Sequence, residues 1–137
     1  MRHALAALAA TALVLQACAQ RPPAASGTRR FQADFVGAAK NCDVPKVTPT
    51  SGQETPIAMK MGNDGGWCAI TVDNGGKPFD AGLLMTEPAH GKVYIHSVGD
   101  QTRIDYTPSA RFVGSDAFAV KLLPGGAVLR ASVTVGQ

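Results

Sequence analysis

Short stretches of alternating apolar and polar residues, separated by turns rich in glycine, proline, asparagine and aspartate, dominate the chain from Cys42 onwards. Pro56–Met61 sets Ile57, Met59 and Met61 against Ala58 and Lys60, the period of a strand with one buried face. Trp67–Val72 repeats it with Cys68, Ile70 and Val72, and Phe79–Thr86 reads as a looser apolar strand. Lys92–Val98 and Gln101–Thr107 flank Gly99-Asp100, while Ala117–Leu123 and Ala127–Val135 flank Pro124-Gly125-Gly126, so each pair predicts a hairpin. Val44–Thr50 predicts a first strand, kept at a sheet edge by Pro45 and Pro49. Strands at this spacing, with turns between them and no helix-length apolar pattern, predict an all-β chain of about seven strands in two antiparallel sheets packed as a sandwich. Phe31–Lys40 is the exception: Phe31, Phe35 and Ala38 or Ala39 share one helical face around Gly37, which predicts a short helical turn or loop lying on the domain.

Ahead of this the pattern is neither alternating nor amphipathic. Arg2 precedes a 12-residue apolar run from Ala4 to Leu15, too short to span a bilayer of roughly 30 Å as a helix, and small residues follow it. That is the arrangement of a secretory signal peptide. Leu15-Gln16-Ala17-Cys18 resembles the bacterial lipobox, whose cysteine becomes the lipidated first residue of the mature chain; Gln16 departs from the small or aliphatic residue usual there. Cleavage after Ala19 by ordinary signal peptidase is the alternative. Ala19 to about Arg30, rich in Ala, Pro, Gly and Ser and carrying Arg21, Arg29 and Arg30, reads as a tether. The expected division is a signal peptide at 1–17, a linker at 18–40 and a sandwich domain at 41–137.

The second half of the domain carries a resemblance to a known family. Pro88-Ala89-His90-Gly91-Lys92-Val93, then Ile104-Asp105-Tyr106-Thr107-Pro108, then Phe112-Val113-Gly114-Ser115-Asp116-Ala117-Phe118, closing on Ala131-Ser132-Val133-Thr134-Val135, resembles the bacterial immunoglobulin-like and cadherin-like domains of exported and surface proteins. The resemblance implies an immunoglobulin-like sandwich and leaves the function open, because this architecture hosts adhesion, spacing and binding alike. The family occurs in tandem arrays, and here there is one copy behind a signal sequence. Each residue of the pattern has an expected structural task. Gly114 admits a backbone angle that a side chain forbids, and Pro108 ends its strand. Asp116 accepts hydrogen bonds from amides left unpaired at the corner, and Tyr106, Phe112 and Phe118 supply core area.

Composition adds limits. The net charge of +3 is mild and scattered, with no basic stripe interleaved with aromatics, so no nucleic-acid partner is expected. Three cysteines in an exported chain leave one over; with Cys18 as the anchor, Cys42 and Cys68 remain as a disulfide pair. Trp67 beside Cys68 is placed to cover that bridge. Met59, Met61, His90 and His96, with Met85, offer thioether and imidazole of the kind that suits copper, although Met59 and Met61 also fit a buried strand face and His90 falls in the motif turn. Asp64, Asp73 and Asp100 read as turn residues rather than calcium ligands. No nucleophile, base and acid stand together in a hydrolase pattern, and no cofactor is expected. The function expected from these observations is a non-enzymatic lipoprotein of the cell envelope, and because Ala19 rather than Asp follows the anchor, the resemblance to bacterial lipoproteins implies the outer membrane. It would bind an envelope protein or cell-wall polymer through the loops around His90 and Asp100 or the outer strand faces. A soluble periplasmic protein, with copper as ligand, is the alternative.

Overall fold

The computed structural model describes residues 31–137. The signal peptide, Cys18 and the arginines of the tether lie outside the described residues. From Phe31 the chain makes a 3₁₀ turn, Gln32–Phe35, and then eight strands: β1 (Cys42–Asp43), β2 (Glu54–Gly62), β3 (Cys68–Val72), β4 (Ala81–Thr86), β5 (Gly91–Val98), β6 (Gln101–Pro108), β7 (Gly114–Leu123) and β8 (Val128–Gly136). They form two sheets, ordered β1-β2-β8-β7-β4 and β3-β6-β5, packed face to face. With β4, β7 and β8 in one sheet and β3, β6 and β5 in the other, the arrangement is an immunoglobulin-like sandwich.

Pairing departs from the expected all-antiparallel pattern at one seam. β2 runs parallel to β8 from Glu54 opposite Val128 to Gly62 opposite Gly136, and every other neighbour is antiparallel. A parallel pair needs a long crossover, and here β3 to β7 supply it. The predicted first strand at Val44–Thr50 does not form. Pro45 and Pro49 have no amide hydrogen to give a ladder, so pairing stops after Cys42 and Asp43, and Val44 and Val47 pack against the core from an irregular segment.

The alternation read from the sequence is the alternation of burial. Ile57, Met59 and Met61 of β2 and Cys68, Ile70 and Val72 of β3 all enter the core, and the structure adds Phe118, Val120 and Leu122 of β7 to them. Each large apolar side chain buried there contributes roughly 1.5–3 kcal/mol relative to exposure. The disulfide Cys42–Cys68, expected from the cysteine count, joins β1 to the start of β3 across 26 residues of sequence.

Candidate functional site

Two carboxylates are buried among polar partners, and they divide the residues of interest into two groups. Asp116, near the start of β7, sits at the corner formed by the family-like motif. Its Oδ1 accepts from the amides of Ala89 (2.8 Å) and Ala117 (2.9 Å), and its Oδ2 from the amide of His90 and the Tyr106 hydroxyl, both at 2.9 Å. Burial pushes its pKa up, but the amides of His90, Ala117 and Ala89 and the Tyr106 hydroxyl outweigh it and hold the carboxyl below the usual aspartate range. The Tyr106 phenol is pushed well above its usual range, first by burial and then by Asp116.

The rest of the motif serves the same corner. Gly91 has no room for a side chain, since a Cβ there would lie 2.4 Å from the Tyr106 ring. Gly114 has φ +141°, a conformation that side chains rarely adopt. His90 stacks on Phe112 at 4.4 Å, Tyr106 stacks near-parallel on Phe118, and β6 ends at Pro108. The histidine, tyrosine and aspartate of this stretch therefore work as turn, core and corner.

The second carboxylate, Asp105, lies on the outer face of the small sheet. β6 turns Ile104 and Tyr106 inward, so Arg103 and Asp105 point outward. The Arg103 guanidinium grips Asp105 with two bonds, Nε to Oδ1 at 2.8 Å and Nη2 to Oδ2 at 2.9 Å. Its Nη1 donates to the carbonyl of Asp34, and its carbon lies 4.0 Å from the centre of the Trp67 ring. On the other side His96, opposite Arg103 in the hairpin register, places Nε2 3.0 Å from Asp105 Oδ2. A carboxylate only accepts, so the imidazole donates from Nε2. Tyr94, opposite Asp105, lies 4.6 Å from His96 ring to ring and is 63% exposed. The result is a row, Tyr94, His96, Asp105, Arg103 and Trp67, running across the sheet.

The segment ahead of β1 covers one end of this row. Ala39 donates to the Trp67 carbonyl at 2.8 Å, the Trp67 amide to Gly37 at 3.0 Å, and the indole Nε1 to the Val36 carbonyl at 3.1 Å. Between that segment and the sheet lies a cavity of about 260 Å³, walled by Phe35, Trp67, Thr71, Val98 and Arg103 and bordered by Cys42. Arg103 and the indole N–H that line it already have partners, so the cavity suits an apolar or flat aromatic group at its wall and a polar group at its rim. A wider, shallow depression of about 600 Å³ follows the β1 edge, past Lys40, Lys60 and Gln137.

The sequence-named residues thus fall in several places. Cys42 and Cys68 are bonded. Trp67 packs under Arg103 and against the backbone of residues 36–39. The residues considered for copper are not gathered: Met59 and Met61 are in the core, His90 stacks at the corner, and His96 pairs with Asp105 on the outer face. Among the described residues, no three or more His, Cys, Asp and Glu stand close enough to hold a metal ion. Asp64 accepts from the Gly66 amide within its turn and from the Lys40 amide of the segment before β1, Asp73 accepts from the Gly76 amide within its turn, and Asp100 has one buried oxygen, Oδ1, without a partner.

Sequence reading overlooked Arg103 and Tyr94, and quoted Asp105 in the family-like stretch without giving it a task. The signal was there, because a two-residue turn at Gly99-Asp100 fixes His96 opposite Arg103 and Tyr94 opposite Asp105. Compared with protein-family models and with curated proteins, the chain matches none.

Proposed function

We propose that this protein is an exported lipoprotein of the cell envelope, anchored through Cys18, whose single sandwich binds an envelope protein or cell-wall polymer without transforming it. The observation that carries the binding role is the outer face of the small sheet. An exposed tyrosine, a tied ion pair and a tryptophan-walled cavity stand there already in place, and preorganised groups of this kind lose little entropy on binding. The Cys42–Cys68 bridge fits an oxidising compartment outside the cytoplasm. An anchor ahead of the tether would leave this face free to meet partners at the membrane surface.

The test uses the full chain in its own host. A photoreactive phenylalanine analogue replacing Tyr94 or Phe35 should give a discrete crosslinked adduct in envelope fractions, and the same analogue replacing Ser132, exposed on the large sheet, should not. Adducts from Ser132 alone, or from neither sheet, would overturn the binding assignment. Intact mass should show a lipidated Cys18, and a mature chain beginning at Gln20 would overturn the anchor.

A further inference from the structure

We infer that the open edge of β4 is a docking strand, built to take an extended polypeptide segment of another protein, apolar along its length and basic at its ends. β4 closes the large sheet on one side: among the described residues β7 is its only strand neighbour, so no strand among them pairs with the amides and carbonyls along its other side. The strand reads Ala81-Gly82-Leu83-Leu84-Met85-Thr86 and has no charge. Leu83 is 47% exposed, Met85 59% and Leu84 36%, three large apolar residues in succession on an edge.

Edges of soluble sheets are ordinarily guarded by lysine, proline or a bulge. Here no lysine or proline lies within the strand, and the one bulge, at Met85, comes after four residues in unbroken register with β7. The edge is also held rigidly. A Cβ at Gly82 would meet the Ile95 side chain at 2.7 Å, so glycine at this position lets β5 pack directly against β4 and fixes where the strand lies. A fixed edge presents its hydrogen-bonding groups without an ordering cost.

Charge selects the occupant. Asp80 and Glu87, both exposed, stand immediately before and after the strand, while the lysines adjacent in sequence or register are Lys77, three residues ahead of Asp80, and Lys121, opposite Leu83 on the β7 side. Two copies of the chain pairing antiparallel along Ala81–Thr86 would set Asp80 of each against Glu87 of the other, and like charges placed opposite one another oppose pairing. An incoming strand with lysine or arginine at both ends meets a carboxylate at each.

The experiment uses the full-length protein and two blocked, dye-labelled peptides of alternating valine and threonine, one ending in lysine at both ends and one in glutamate, read by fluorescence anisotropy. The lysine-ended peptide should bind roughly tenfold more tightly than the glutamate-ended one. Asp80→Lys with Glu87→Lys should reverse that order, and Met85→Lys or Leu83→Lys should weaken both at least tenfold. All four positions are exposed, so the circular dichroism spectrum and melting temperature should not move. Equal binding of the two peptides, or none, would overturn the inference. So would a concentration-dependent dimer, by sedimentation velocity, that Met85→Lys dissolves, since the occupant would then be a second copy.

Discussion

Asp105 and Asp116 are buried to nearly the same extent, 5% and 8% exposed, yet they are held in opposite ways. Among the described residues no cation forms an ion pair with Asp116: three backbone amides and a phenol carry its charge. Asp105 is held by two side chains on the outer face of the sheet, Arg103, which is itself largely covered, and His96, whose side chain is a quarter exposed. Amides from the approach to β5, the hydroxyl of β6 and the start of β7 must all be in place for Asp116 to be satisfied. Its network therefore specifies the path of the chain. The Asp105 network specifies only what one face of a sheet presents, and leaves that face free to differ without changing the path. Buried carboxylates alone do not mark function; the nature of their donors distinguishes a corner from a surface.

Removing the corner should have the largest effect. Asp116→Ala leaves the amides of Ala89 and His90 and the Tyr106 hydroxyl without an acceptor, and urea unfolding should show a loss of about 4 kcal/mol. The folded pKa of Asp116 lies below its unfolded value. Its contribution is therefore complete above the unfolded pKa of about 3.9 and is lost as pH falls through the folded value. Asp116→Asn should cost about 2 kcal/mol near neutral pH and flatten that acid limb of the stability curve.

Replacing both Cys42 and Cys68 with alanine opens a loop of 26 residues and should cost about 3.5 kcal/mol on the chain-entropy account. The loss should be local. Residues 31–42 should loosen from Trp67, the only tryptophan, and shift its emission to longer wavelength, while the amides of Ala89 and His90 stay protected in hydrogen exchange. Fast exchange at those two amides would show that the corner and the outer face are one unit.

Arg103→Met should cost about 2 kcal/mol, since Asp105 keeps only His96, and should also move Trp67 emission, which Asp116→Asn should leave unchanged. The smallest effect belongs to the exposed Arg130–Glu54 pair between β8 and β2. Despite two short bonds, Glu54→Gln should leave the urea midpoint where it is, because water screens the attraction.

Much of the fold was legible. Period-two alternation identified the inner faces of β2 and β3, turn residues located both hairpins, and the motif named Tyr106 and Phe118 as core residues of β6 and β7, because alternation and turn chemistry are local properties of a strand. The task of Asp116 was legible as well, since a lone carboxylate at a glycine-marked corner has amides to satisfy. The row from Tyr94 to Trp67 was half legible. The Gly99-Asp100 turn sets the cross-strand pairs, but nothing in the order of residues brings Trp67 under Arg103 or the carbonyl of Asp34 to its guanidinium.

By itself, then, the sequence determined the inward faces of β2 and β3 and where the chain reverses, which follow from spacing along the chain, and it pointed to the Cys42–Cys68 pair by counting cysteines. Tertiary structure alone decided that β2 joins β8 in parallel, that the segment before β1 roofs a cavity, and that β4 is left with an open apolar edge. Those outcomes depend on which sheet each strand enters. Contacts between residues far apart in the chain make that choice, and no local period encodes it.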